Sequence, residues 1–312
     1  MRGLIGIAAT GACALGALSA SAGEPAATPV SISAASPARV EAACRLIGDR
    51  LRSLKRAGCR NAGLNASAEN SVRGQAILWR DFVPAGRKSP QRVLLIGGMH
   101  GDELSSMSII FNWMSRHLAD ENAQPFFWRV VPCLNPDGLA GRPSHRMNAH
   151  GVDLNRNFPT PDWSQRAMPY WVSVTHKDPR RYPGQQAQSE PETRWLVQEI
   201  ERFQPDAIVQ VHAPYGVLDY DGPHEPPQNL GFLDLHLLGT YPGSLGNYAG
   251  VHLGLPVITL ELPQAGRMPS QTQTDRLWTD LLAWLDRNLP PAAKAVPTRA
   301  MVDSNGAGGA AQ

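Results

Sequence analysis

The chain has 312 residues, a formal net charge of +2 at pH 7 and 42% hydrophobic residues. Such a composition is typical of a globular protein that buries one sizeable core. The nearly neutral charge, without runs of like charge, excludes the basic field with which proteins attract nucleic acid. We therefore expect one domain of catalytic size and no nucleic-acid partner.

Residues 1–22 have the pattern of a secretory signal peptide. Arg2 precedes an apolar stretch at 4–18, and Ala20, Ser21 and Ala22 form a small-residue cleavage site. The apolar stretch is too short to span a bilayer comfortably. We therefore predict export, to the periplasm or out of the cell, without stable membrane insertion.

Both ends of the predicted mature chain consist largely of a few small residue types and proline. Residues 23–37 are rich in Ala, Pro and Ser, and residues 291–312 are rich in Ala and Gly. Such segments lack the apolar side chains needed to form a core. We predict a flexible leader at 23–37, one catalytic domain at 38–290 and a disordered tail at 291–312.

Helices and strands alternate within the predicted domain. Apolar residues at helical spacing predict helices at 40–54, 104–117, 189–204 (with a capping box at its start) and 274–289. Aliphatic runs bounded by turn residues predict strands at 75–82, 92–98, 126–133, 207–212 and 256–262. Residues 163–188 are predicted to be an exposed excursion, and residues 215–254 are predicted to be pocket-lining loops. This alternation is typical of the α/β class.

Cysteines remain at positions 44, 59 and 133 after the predicted signal peptide. In an oxidising compartment, Cys44 and Cys59 could close a short disulfide loop, which we favour over two separate buried thiols. Cys133 follows an apolar run and is predicted to be a packed core thiol. A cysteine hydrolase is therefore disfavoured.

A histidine and a glutamate follow the strand predicted at 92–98. Gly97 and Gly98 close this apolar run, and His100 and Glu103 then stand three residues apart at the start of the next helix. If Glu103 lies in the first helical turn, its carboxylate can fold back beside His100 and hold one cation. The alternative is that Glu103 only stabilises the helix N-terminus.

Two later strands also carry polar residues that a core would not require, His212 and Glu261. A catalytic zinc ion needs three protein ligands and an open position, which His100, Glu103 and His212 provide. Glu261 is then the candidate general base. Taken singly, His212 could be a core histidine and Glu261 could pair with an arginine. Taken together, the residues favour a metal site.

The segment 146–159 is too polar and too rich in glycine for a core element. Long irregular segments inside compact domains are usually functional or disordered, and its many Arg and Asn residues favour function. Glu190 and Glu192 lie at a predicted helix N-terminus, where carboxylates are common. They are predicted to be structural.

Several short motifs together resemble the zinc carboxypeptidases of the carboxypeptidase A type, and within them the short bacterial branch of murein peptide amidases. The motifs occupy residues 98–103, 135–138, 151–159, 189–193, 211–214 and 242–246 and precede Glu261. The resemblance covers about residues 75–290 and is specific because the motifs occur in family order. It implies a mixed, mostly parallel β-sheet sandwiched between helices. It also implies one zinc ion, held by His100, Glu103 and His212, with Glu261 activating a water molecule.

The resemblance also assigns substrate contacts. Arg146 matches the arginine that polarises the scissile carbonyl, and Arg142 is a nearby competitor whose spacing fits less well. Asn155 and Arg156 match the pair that binds the free α-carboxylate of the substrate. A family tyrosine that covers the pocket has no exact match here. Tyr241 and Tyr248 are candidates for covering the pocket, and neither is assigned a catalytic role.

The resemblance implies a monomeric peptidase that cleaves the bond between γ-D-glutamate and meso-diaminopimelate in peptidoglycan stem peptides. One alternative is a general carboxypeptidase that removes C-terminal L-amino acids. A second is a zinc-dependent deacylase of amino acid conjugates. A catalytically silent wall-binding module is the least favoured, because such a module would not need Glu261.

Overall fold

The computed structural model describes residues 37–86, 90–120, 122 and 124–289. These residues all lie in one compact unit. The predicted signal peptide, almost all of the predicted leader and the predicted tail lie outside them. Within the described part of the chain, every helix is too short or too polar to cross a bilayer.

A seven-stranded sheet forms the centre of the fold. Its strands are β1 (Asn65–Asn70), β2 (Ala76–Phe82), β3 (Arg92–Ile96), β4 (Phe127–Cys133), β5 (Ala207–His212), β6 (Val217–Asp221) and β9 (Val257–Glu261). They are ordered β1-β2-β4-β3-β5-β9-β6, and a hairpin of β7 (Asn229–Leu230) and β8 (Leu233–Asp234) stands apart. The central strands β4, β3, β5 and β9 are parallel, whereas β2 and β6 pair antiparallel with their inner neighbours. The predicted mixed, mostly parallel sheet is confirmed.

Helices cover both faces of this sheet. They are α1 (Pro37–Arg50), α2 (Arg56–Arg60), α3 (Leu104–Arg116), α4 (Pro136–Ala140), α5 (Trp163–Ser173), α6 (Pro191–Phe203) and α7 (Gln271–Asn288). Side chains of α1, α3 and α7 share one buried apolar cluster with one face of the strands, and α6 shares a second cluster with the other face. The predicted arrangement of a sheet between helices is therefore confirmed.

The structure differs from the sequence prediction at several elements. The excursion predicted at 163–188 contains α5, and the loops predicted at 215–254 contain β6. The capping box lies at Ser270, whose hydroxyl accepts from Gln273 N, so that α7 begins earlier than predicted. The capping box predicted at the start of α6 is wrong, because Glu190 is the N-cap and its side chain makes no capping bond.

The topology brings the polar ends of three strands together. Strand β3 lies between β4 and β5. The connection that leaves β3 leads to β4 on one side, and the later strand β5 is added on the other side, so the strand order reverses at β3. Open α/β sheets bind ligands outside the carboxyl ends of their strands at such a switch point. His100 follows β3, His212 ends β5 and Glu261 ends β9, with His212 and Glu261 paired in register.

The predicted disulfide is present. Cys44 in α1 is bonded to Cys59 in α2, with 5.4 Å between their Cα atoms. Cys133 is free and buried at the end of β4, and burial raises the pKa of its thiol to about 12. Cys133 is therefore a core thiol, because a thiol with so high a pKa is a poor nucleophile.

Replacing both Cys44 and Cys59 by alanine should lower the free energy of unfolding by about 3 kcal/mol, because the bond closes a loop with a sequence separation of 15. Urea unfolding measures this change. The oxidised protein should lose the same amount when reductant is added, whereas the variant should not respond to reductant. Equal stability of the variant and the oxidised protein would contradict the prediction.

Candidate metal centre and active site

His100, Glu103 and His212 converge at the carboxyl ends of β3 and β5. His100 Nδ1 lies 2.7 Å from Glu103 Oε1, and His212 Nδ1 lies 2.9 Å from Glu103 Oε2. The two Nδ1 atoms are 3.1 Å apart. All three side chains are buried, and within the described residues they are the group whose ligand atoms are close enough to hold a metal ion.

The outer nitrogen of each imidazole fixes its orientation. His100 Nε2 donates to Asp153 Oδ1 at 3.1 Å, and His212 Nε2 donates to Gln210 Oε1 at 3.1 Å. Because both acceptors are oxygens, each neutral ring carries its hydrogen on Nε2 and points an Nδ1 lone pair inward. Such outer partners are typical of metal-ligating histidines.

The inward-facing atoms fit a small divalent cation. Two lone pairs and a carboxylate repel one another unless positive charge lies between them. Arg146 already directs its Nη1 atom at His100 Nδ1, at 3.1 Å. Two imidazole nitrogens and one carboxylate are a donor set that zinc accepts, with a coordination position left for water or substrate.

The charge state of Glu103 supports this role. Burial alone would raise the pKa of Glu103, but His100 and His212, which attract the carboxylate in their protonated forms, hold it well below its usual range. The same attraction raises the pKa of His212, although burial opposes that change. The Glu103 carboxylate is therefore ionised throughout the physiological pH range, as a metal ligand must be.

Arg146 is held at the edge of this centre by Asp153, a residue that the sequence analysis did not single out. Arg146 Nε donates to Asp153 Oδ2 at 3.0 Å, and its Nη1 lies 3.5 Å from Glu103 Oε1. Burial opposes ionisation of Asp153, but Arg146 and His100 hold its pKa well below the usual range. Arg142, the competing candidate, is exposed and does not line the site.

Glu261 faces the metal centre from the end of β9. Its side chain is buried, and Oε2 has no hydrogen-bond partner within the described structure. Burial raises the pKa of Glu261, while His212 opposes this change. An unpartnered carboxylate oxygen with a raised pKa is suited to accept a proton from a water molecule.

Arg156 and Asn155 line the same cavity as the metal-ligand candidates. Arg156 is 7% exposed, its guanidinium stacks 4.3 Å above the ring of Tyr241, and its Nε atom has no partner in the described structure. Burial, with the charges of Arg146 and Arg181, lowers the pKa of Arg156 to about 10. Asn155 Oδ1 accepts from a backbone N–H at 2.8 Å, which leaves its amide hydrogens for a ligand.

One cavity of about 630 Å³ joins all the predicted site residues. The three metal-ligand candidates line it, together with Glu261, Arg146, Asn155 and Arg156. The two tyrosines separate: Tyr241 lines the cavity, whereas Tyr248 is buried against Phe158 and does not line it. Tyr241 is also fixed, since its hydroxyl donates to Leu238 O at 3.1 Å.

Comparison with known proteins places this geometry in a family. The family model described as zinc carboxypeptidase, Peptidase_M14, matches residues 66–231. The chain belongs to the zinc carboxypeptidase family. The match includes the three metal-ligand candidates but ends before Glu261, whose assignment therefore depends on its position beside them.

Curated relatives agree with this membership. Murein peptide amidase A of Escherichia coli K12 is 33% identical over 223 residues, which cover 69% of this chain and 87% of the relative. Murein peptide amidase A of Vibrio campbellii is 34% identical over 200 residues, or 62% of this chain and 77% of the relative. Both relatives align over most of their own length.

A solved structure supports the fold. The carboxypeptidase A of Helicoverpa armigera superimposes with a TM-score of 0.56 and 16% identity, over 79% of this chain and 78% of that chain. As a zinc carboxypeptidase the chain is a metallopeptidase that uses zinc, and His100, Glu103 and His212 are the residues suited to hold it.

A second buried cluster supports the loop that carries Arg146. Asn148 Nδ2 donates to Glu190 Oε2 at 2.6 Å and to Glu192 Oε2 at 3.1 Å. Val72 N donates to Glu192 Oε1 at 3.2 Å. Neither glutamate lines the active-site cavity, so their position agrees with the structural role predicted for them.

Replacing Asp153 by asparagine should weaken zinc binding by about 10-fold to 100-fold, because His100 loses its charged orienting partner. Competition with a chromogenic chelator measures the affinity without any assay of activity. The matched control is Asp286→Asn, which changes an exposed aspartate on α7. Unchanged zinc affinity in Asp153→Asn would show that His100 is oriented without Asp153.

Glu192 should make stability depend on pH. Burial raises its pKa from 4.5 to about 7, so the folded state binds an extra proton, and stability is lost as pH rises through about 7. Between pH 5 and pH 8 the unmodified protein should lose stability on the order of 3 kcal/mol from this group. Glu192→Gln should not show this loss. The glutamine side chain places an NH2 group opposite one of the donors that Glu192 accepts from, and this cost is the same at every pH. The quantity to compare is therefore the slope of unfolding free energy against pH.

Chemical unfolding at several pH values provides that slope. The control is Glu201→Gln, an exposed position on the same helix. Its unfolding free energy should follow that of the unmodified protein at every pH. Parallel pH profiles of Glu192→Gln and the unmodified protein would contradict the assignment.

Proposed function

We propose that this zinc carboxypeptidase hydrolyses the bond between γ-D-glutamate and meso-diaminopimelate in murein tripeptides. We also propose that it is a monomer exported to the periplasm or out of the cell. Two relatives named murein peptide amidase A support the substrate class. The signal-peptide pattern of residues 1–22 supports export, since an exported enzyme meets stem peptides where they are assembled and trimmed.

The observation that carries the proposal is the buried guanidinium of Arg156, whose Nη1 donates to Asn155 O at 2.6 Å while its Nε has no partner in the described structure. A buried N–H group without an acceptor is costly, and a ligand carboxylate bound at Nε would remove that cost. A guanidinium can bind a carboxylate through two parallel hydrogen bonds. Because Arg156 shares its cavity with the metal ligands, it would place a C-terminal residue with its peptide bond near them. This arrangement favours removal of one terminal residue over internal cleavage.

The chain's own residues supply the proton transfers. Zinc bound at His100, Glu103 and His212 would polarise the scissile carbonyl and acidify water. Glu261 accepts a proton from the attacking water as the new C–O bond forms, and it donates that proton to the departing amine as the C–N bond breaks. Arg146 donates hydrogen bonds to the carbonyl oxygen as negative charge develops there.

Two alternatives remain within the same chemistry. A general carboxypeptidase would use the same centre on ordinary L-peptides. A deacylase of amino acid conjugates would also bind a free carboxylate at Arg156, but it would recognise an acyl group on the other side of the bond. The three functions are therefore distinguished by which class of substrate the protein cleaves.

The deciding experiment incubates the zinc-loaded protein with L-Ala-γ-D-Glu-meso-diaminopimelate, with hippuryl L-peptides and with acylated amino acids. Mass spectrometry follows the products. Release of diaminopimelate alone, abolished by a chelator and restored by zinc, is the expected result. Release from the L-peptides alone would favour the general carboxypeptidase, and cleavage of acyl conjugates alone would favour the deacylase.

Replacing Glu261 by glutamine should lower kcat at least about 1,000-fold, because the amide cannot accept the proton of the attacking water. Zinc content, measured by elemental analysis, should stay at the level of the unmodified protein, since Glu261 is outside the ligand set. Glu201→Gln is the matched exposed control and should retain full activity. Substantial turnover by Glu261→Gln would refute the mechanism.

A further inference from the structure

The last side chain of helix α1 contacts a loop next to the active site. This loop, here called the α4 loop, comprises residues 139–146, from the end of α4 through the irregular residues that follow it. Arg50 Nε donates to Leu139 O at 2.9 Å. Arg50 Nη2 donates to Gly141 O and to Ser144 Oγ, the latter at 2.7 Å. Among the described residues, the side-chain hydrogen bonds of Arg50 all go to this loop.

Helix α4 has carbonyl groups that its own backbone leaves unsatisfied. It has five residues, and the last four carbonyls of any α-helix have no N–H partner within the helix. Leu139 O accepts instead from Arg50 Nε and from Ser144 Oγ, at 2.9 and 2.8 Å. Arg50 Nη2 also donates to that hydroxyl. Arg50 therefore fixes the irregular part of the α4 loop relative to the end of α4.

The α4 loop ends at Arg146, whose Nη1 atom lies 3.1 Å from His100 Nδ1. Helix α4 is itself close to the metal-ligand candidates, since a Cβ atom on Gly101 would overlap the backbone of Gly138. Asn135 Nδ2 donates to Arg146 O at 3.0 Å and holds the other end of the loop. The position of the Arg146 guanidinium therefore depends on the conformation of the loop between these two fixed points.

Helix α1 is anchored to the rest of the fold, although it lies before the residues that the family model matches. Cys44 is fully buried and bonded to Cys59 of α2. A Cβ atom on Gly48 would overlap Arg56, so α1 and α2 are closely packed. Because the helix that carries it is held in this way, Arg50 can act as a fixed point for the α4 loop.

We propose that Arg50 is a positioning residue of the peptidase, which acts through the α4 loop to orient Arg146 toward the scissile carbonyl. This inference rests on the role proposed for Arg146 and extends it. Without Arg50 the loop can move, and a misplaced hydrogen-bond donor stabilises the developing oxyanion less well. The metal-ligand candidates and Arg156 are held by other contacts, so zinc and the substrate carboxylate should bind as before.

Arg50→Ala should lower kcat about 10-fold to 100-fold on the peptide that the unmodified protein cleaves best, because small displacements of catalytic groups have effects of this size. KM should change less than about 2-fold, since the contacts that bind the substrate carboxylate are intact. Arg45→Ala, an exposed position on the same helix, is the matched control and should retain full kcat. An unchanged kcat in Arg50→Ala, or a change confined to KM, would overturn the inference.

A double-mutant cycle with Arg146 separates positioning from general stabilisation. If Arg50 acts through Arg146, Arg50→Ala should lower kcat less than about 2-fold in an Arg146→Ala background. A loss of stability alone would lower kcat by the same factor in both backgrounds. Full additivity of the two substitutions would therefore contradict the positioning role.

Ser144→Ala is a second and milder variant. It removes the hydroxyl that accepts from Arg50 and leaves α1 unchanged. It should lower kcat about 3-fold at constant KM, as expected for the loss of one hydrogen bond. Thermal melting shows whether each variant is folded. If Arg50→Ala does not fold, Ser144→Ala decides, and an unchanged kcat in it overturns the inference.

Hydrogen exchange tests the contact without any assay of activity. Amides of the α4 loop should exchange at least about 10-fold faster in Arg50→Ala than in Arg45→Ala, because bonds such as His145 N to Gly138 O open more often. If the unmodified protein cleaves no peptide, the proposed function fails, and equal exchange in the two variants overturns the inference separately. If peptides are cleaved and Arg50→Ala retains full kcat, the inference fails while the peptidase function stands.

Discussion

The structure depends on compensation of the buried Glu103 carboxylate. This group is 4% exposed, and burying an ionised carboxylate without partners would cost several kcal/mol. His100 and His212 both approach it, and each imidazole is held by an acceptor on its far side, so that the lone pairs point inward. The cluster is therefore electrostatically complete when a cation joins it. Placing it beyond parallel strand ends keeps it out of the apolar core.

Asp153 extends this constraint to the substrate-binding loop. One carboxylate accepts hydrogen bonds from His100, Arg146 and the backbone N–H of Asn155. That last bond caps the short helix Leu154–Arg156, which carries the residues proposed to bind the substrate carboxylate. Asp153 thus positions both the metal-ligand candidates and the residues proposed to bind the substrate carboxylate. A displacement of Asp153 would alter both, and their relative position sets where the scissile bond lies.

The sequence predicts the site residues whose position depends on a strand end or on spacing within one segment. The aliphatic run of β3 and the spacing of His100 and Glu103 are visible in sequence, and His212 and Glu261 end apolar strands. Strand β6 was predicted as loop, because its alternating aspartates and flanking glycines resemble turn chemistry. Asp153 was not singled out, because its role arises from tertiary contacts with His100 and Arg146. Only its place in the polar loop 146–159 hinted at function.

Separated charges in one cavity explain how the site could select its substrate. Arg156 and the β6 residues Asp219 and Asp221 line the same cavity, yet they do not pair with each other. The folded protein therefore pays the free-energy cost of removing both positive and negative groups from water before the substrate binds. In the proposed reaction, a peptide without a terminal carboxylate would leave Arg156 Nε without an acceptor, and unpaired buried groups discriminate far more strongly than missing apolar contacts do. The proposed selectivity for a terminal residue would then follow from the buried N–H group of Arg156 that the protein itself leaves without an acceptor.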